Sequence, residues 1–96
     1  MGQKVKSAII SEKNMIFCYC CSYPYVEIHH IFHGFARSAA DRYGYIVPLC
    51  HRCHMALHDG KEEELDLHLK QLAQVHFEEH HGTRDEFIQI FGRSYL

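Results

Sequence analysis

Hydrophobic positions recur through residues 61–81 with the period of a helix. Leu65, Leu69, Leu72 and His76 fall on one stripe, widened by Ala73 and Phe77, and Glu and Lys fill most other places. That pattern predicts an amphipathic helix with one face buried. Gly82 supplies its stop. Thr83-Arg84-Asp85-Glu86 then has the form of a capping box, opening a second helix that runs through Phe91 and ends at Gly92, with Phe87, Ile88, Ile90 and Phe91 as packing residues.

Upstream the period changes to two. The stretch YVEIHHIF, residues 25–32, reads as a strand with Val26, Ile28 and His30 on one face and Glu27, His29 and Ile31 on the other. Adjacent histidines on a strand point to opposite sides, so His29 and His30 have different jobs. Residues 33–44, bounded by Gly34 and Gly44, suit a loop with at most one short helical turn. YIVPLC, residues 45–50, is a second strand whose Pro48 places it at an edge or end of the pairing. CHRC runs directly into HMALH, where the chain turns into a helix with His54 and His58 on one face at i and i+4.

Ninety-six residues make one domain, with residues 1–15 expected as an arm and 16–96 as the folded unit. There is no internal repeat. MGQKVKSAII is too short in apolar residues for a signal-peptide core or a membrane span, which points to a reducing cytoplasm and no membrane partner.

The chain is formally at -2, whereas nucleic-acid-binding domains are usually basic. The charge is uneven, however. Residues 1–58 carry six Lys/Arg against three acids, a local +3, and residues 59–96 carry four against nine, a local -5. Lys4, Lys6 and Lys13 suit a solvated tail better than a phosphate contact. The acidic helix at 61–81 is expected to face away from any bound polyanion.

Chemistry enters with Cys18, Cys21, His29, His30, Cys50, Cys53, His54 and His58. Five cysteines is an odd count, and two C-x-x-C pairs favour four zinc ligands with Cys20 spare over a disulfide framework. Thiolates suit a closed structural zinc, while imidazoles suit an ion with open positions for water and substrate. Histidine ligation favours Zn, Ni, Mn or Co over Mg, which prefers oxygen. His33 and His51 read as exposed loop residues. His68, His76, His80 and His81 read as a core-edge or solvated set, with the last two favoured by the helix dipole.

The cysteine knuckles, EIHHIFHG, YIVPLC and CHRCHMALH, in that order, resemble the HNH family of metal-dependent nucleases, above all small stand-alone members encoded by bacteriophages and prophages. The likeness extends through ELDLHLKQLAQ and the tail EFIQIFGRSYL, so it covers most of residues 16–96. It implies an α+β fold: a small zinc-stapled ββα-metal domain, core about 18–60, with additional C-terminal helices at about 61–92. It also implies a DNA substrate and phosphodiester hydrolysis.

Position by position, the resemblance makes Cys18, Cys21, Cys50 and Cys53 the structural zinc site. His29, His54 and His58 become the ligands of a catalytic divalent cation (Mg2+, Mn2+, Ni2+ or Zn2+), and His30 the general base. Arg37, Arg42 and Arg52 are candidates for phosphate contacts. The family's middle Asn is absent, and Tyr45 stands in its place, so either another group such as Tyr45, His33 or Asp41 takes over its role or the protein is less active. The rival reading is a catalytically inactive zinc module that binds nucleic acid or a protein partner, and a third is a metal-dependent hydrolase acting on another substrate.

Overall fold

A computed structural model describes residues 6–96. It is a small α+β structure with a two-stranded sheet and four α-helices. Strand β1 (Glu27–His30) pairs antiparallel with β2 (Ile46–Leu49). Helices follow at α1 (Arg37–Tyr43), α2 (His51–His58), α3 (Glu63–His80) and α4 (Arg84–Phe91). No helix among the described residues is long and apolar enough to cross a membrane.

The two strands are shorter than the alternation suggests. In the register His29 lies opposite Val47 and Ile28 opposite Pro48. A two-stranded sheet has two edges, so Pro48 costs no ladder bond that another strand would need. Its carbonyl instead accepts the amide of Tyr19 at 2.8 Å, tying the first cysteine turn to β2.

The segment 33–44 is a correction. It forms a 3-10 turn at Gly34–Ala36 and then α1, a full helix rather than a loop. The cause is ARSAADRY: Ala36, Ala39 and Ala40 are good helix formers and bury one face, a small-residue stripe too narrow to stand out by hydrophobicity. Gly44 ends α1 with φ 77°, and a Cβ there would lie 3.0 Å from the amide nitrogen of Ala8. That close approach brings in the segment before the first knuckle. The Ala8 amide donates to the Gly44 carbonyl at 2.7 Å and the Ser7 hydroxyl to the Ile46 carbonyl at 2.6 Å, while Ile9 and Ile10 pack on the core. Residues 7–10 are therefore attached rather than solvated; Lys4 lies outside the described residues.

The C-terminal half follows its pattern closely. α3 buries Leu69, Ala73 and Phe77, and α4 buries Phe87 and Phe91. Thr83 caps α4 through a reciprocal capping box with Glu86. Phe32, Tyr45, Phe77, Phe87 and Phe91 form one aromatic core, with Phe32 and Phe91 at a ring separation of 4.4 Å. One polar side chain inside it follows from no periodicity. Gln74 is fully buried, accepts the Tyr95 amide at 2.7 Å and donates to the Ser94 hydroxyl at 3.0 Å, so it holds residues 94–95 against α3.

Candidate metal centre and histidine cleft

The first cysteine turn is built by local hydrogen bonds. The Cys18 amide donates to the Tyr23 carbonyl and the Ser22 amide to the Cys18 carbonyl, both at 2.8 Å, and Ser22 takes the left-handed conformation with φ 65°. Cys50 caps the N-terminus of α2 and Cys53 sits in its first turn. The sheet brings these two pairs together, and the sulfurs of Cys18, Cys21, Cys50 and Cys53 all lie within 4.8 Å of one another. Cys21 is 3.7 Å from Cys50 and 3.8 Å from Cys53, sulfur to sulfur. A tetrahedron with Zn–S bonds of about 2.3 Å has edges of about 3.8 Å, so these cysteines could hold a structural ion such as zinc.

Their proton affinities fit the same picture. Burial works to raise the Cys18 pKa, but backbone amides at Cys50, Cys21 and Cys20 outweigh it and bring the thiol down to about 6. Burial and the neighbouring thiols push Cys53 strongly up. One sulfur is thus ready to ionise, while four thiolates together require a cation. Cys20 is exposed and takes no place in the cluster.

β1, α2 and the loop after β1 bring four imidazoles together. His29 lies 5.2 Å from both His33 and His54, His54 lies 5.4 Å from His58, and His58 lies 5.7 Å from His33, measured between ring centroids. His29 is fully buried, and its two ring nitrogens are the buried side-chain polar atoms without a hydrogen-bond partner among the described residues. Leaving a buried polar atom unpaired is costly, which makes this imidazole a candidate metal ligand. The imidazole nitrogens do not converge as the sulfurs do; the cysteines are the one such group of three or more among the described residues.

Carboxylates fix the tautomers of the surrounding histidines. Glu27 receives His54 Nδ1 at 2.8 Å and His51 Nδ1 at 2.9 Å, and these bonds hold its carboxyl below the usual carboxylate range. An ionised carboxylate only accepts, so His54 carries its proton on Nδ1 and its Nε2 lone pair is free for a metal. On the opposite face of β1, His30 Nε2 meets Asp41 Oδ1 at 2.8 Å, so Nδ1 is the ring nitrogen outside this contact. His30, His54, His58, His33, Arg37 and Ile28 line one cleft of about 180 Å³.

These positions bear on four expectations. Tyr45 is fully buried in the aromatic core, and its hydroxyl meets His76 Nδ1 at 3.2 Å, so the contact with His30 falls to Asp41 on α1. Of the three arginines, Arg37 reaches the cleft. Arg42 is exposed in the last turn of α1, and Arg52 lines a separate hollow with Cys21, Tyr23, Cys50 and His51. His33 is an exposed loop residue as expected, and its ring also joins the imidazole group. Glu62, Glu63 and Asp66, at the start of the acidic helix, border a hollow shared with His33 and His58. Glu27, which anchors two histidines, was signalled by its period-two spacing from His29 on one strand face.

Burial, and after it the charges that His33, His54, His58 and His30 would carry, lower the His29 pKa from 6.5 to about 3. Between those pH values the unfolded chain binds a proton that the folded chain refuses, so this residue's stability is fully present above 6.5 and is lost as pH falls towards 3. The effect is a few kcal/mol. Urea unfolding of the wild type and His29→Leu at pH 7 and pH 4 checks it: the variant should lose less stability on acidification, and equal losses would remove His29 from the account.

No known family model, curated protein or solved structure matches this chain.

Proposed function

We propose that this chain is a metal-dependent DNA endonuclease built on the HNH, or ββα-metal, plan: β1, β2 and α2 would grip the catalytic ion, and the cysteine cluster would hold zinc. The observation that carries the reading is His29, a fully buried imidazole with both nitrogens unpartnered beside His54, while its strand neighbour His30 faces the other way and bonds Asp41. A structural histidine of this burial has no reason to lack a partner. A divalent ion held by His29, His54 and His58 would supply charge neutralisation at the phosphate and at the departing oxygen.

The chain's own residues supply the rest. His30 Nδ1 takes a proton from water, the resulting hydroxide oxygen bonds to phosphorus, and the P–O bond to the leaving group breaks. Asp41 is a positioning residue: it keeps the proton on Nε2 and favours the imidazolium that forms. Arg37, on the rim of the same cleft, contacts phosphate oxygens.

The experiment is plasmid nicking by the zinc-filled protein with and without added Mn2+, Ni2+ or Mg2+, beside DNA binding at several salt concentrations. Expected are cleavage that needs the added ion and a salt slope that flattens by about one unit in Arg37→Glu. Salt-sensitive binding with no cleavage under any ion would instead favour the inactive zinc module. Neither binding nor cleavage would sink the nucleic-acid reading altogether.

A further inference from the structure

The histidine cleft leaves a second group of imidazoles unused. His76 and His80 stand four residues apart on α3, on one helical face, with ring centroids 4.5 Å apart, and His81 lies 5.5 Å from His76. We propose that His76 and His80 form a two-histidine transition-metal site at the C-terminal end of α3, with His81 outside the donor pair. It is separate from the cysteine cluster and from the proposed catalytic ion, and it takes a borderline divalent cation such as zinc, nickel or copper.

Three independent features point to a cation there. The first is a ready outer partner: Tyr45 Oη lies 3.2 Å from His76 Nδ1. Ligation through Nε2 places the imidazole proton on Nδ1, where the phenol oxygen accepts it, the arrangement that metal-bound histidines ordinarily show. The second is the helix end, whose last carbonyls carry partial negative charge and favour a cation. The third is Glu79, whose Oε2 lies 4.0 Å from His80 Nε2 and adds a carboxylate beside the exposed imidazole. Tyr43, 4.9 Å from His81, closes the inner side. The all-nitrogen donor set disfavours Mg2+ and Ca2+, which require oxygen.

The test uses the whole chain with its cysteine site zinc-filled. Ni2+ is titrated while amide resonances are followed by NMR for paramagnetic broadening, and affinity is read by calorimetry. Expected is broadening centred on residues 76–82, 43 and 45, distinct from any near His29 and His54. His80→Gln alters an exposed side chain and so keeps the fold; it should abolish the first set and leave the second. Tyr45→Phe should keep the stoichiometry and weaken this site about 10- to 100-fold. Absence of the first set in the wild type, or its persistence at full affinity in both variants, overturns the proposal. Because the readout is local, failure here leaves the nuclease reading untouched, and the reverse also holds.

Discussion

Stripping the metal from Cys18, Cys21, Cys50 and Cys53 is expected to unfold the domain as a whole rather than loosen one loop. Structural zinc contributes about 10–16 kcal/mol of apparent free energy in small zinc-finger peptides, at or above the ~5–15 kcal/mol that separates most folded domains from their unfolded chains. Here the four sulfurs join the turn before β1 to the start of α2. Far-UV circular dichroism during chelator titration should show one cooperative loss of helix. Cys18→Ser should behave like chelation, and Cys20→Ser like the wild type. A melting curve indifferent to zinc, or one lost with Cys20 and kept with Cys18, would place the sulfur ligands elsewhere.

The second large effect separates chemistry from metal binding. His30→Ala should lower plasmid cleavage by about 10²–10⁴, the usual contribution of a positioned base, with the affinity for the catalytic ion nearly intact. His54→Ala should lose both, because its free Nε2 is the lone pair that Glu27 leaves pointing away from itself. Tyr45→Phe should cleave normally, since its hydroxyl is turned to His76. Calorimetric titration of the ion beside cleavage rates for each variant makes the comparison. If His30→Ala lost the ion while His29→Ala retained it, the two strand histidines would exchange roles.

The parts of the molecule that were legible in the sequence are those governed by one short-range rule. Period-two alternation put His29 and His30 on opposite faces, i and i+4 spacing put His54 beside His58, and the capping box at Thr83 announced α4. What the sequence concealed depends on where separate segments meet. Asp41 looks like any acid on an Ala-rich stretch until α1 folds it onto His30, eleven residues earlier. Glu27 reaches His51 and His54 only because β1 runs beside the start of α2. Tyr45 was assigned by position in a motif, but the phenol just before β2, two residues ahead of the buried Val47, shares the side of Val47 and enters the core. Nor does charge counted along the chain report distance in space: the acids that begin α3 lie beside the cleft although the segment averages look well separated.

The grip of Gln74 on residues 94–95 sets an order of events during synthesis. Tyr95 lies against Phe32 and Phe87 and donates its amide to the buried Gln74 Oε1, so the aromatic core closes only after residue 95 has emerged from the ribosome. At about 5–20 residues per second, the stretch from His58 to Tyr95 takes a few seconds to appear. Throughout that interval every cysteine and histidine of both ligand sets is already outside and uncovered. Their first contest for metal is therefore held by an open chain, and the pool of free ions around the ribosome decides which ions those side chains meet first.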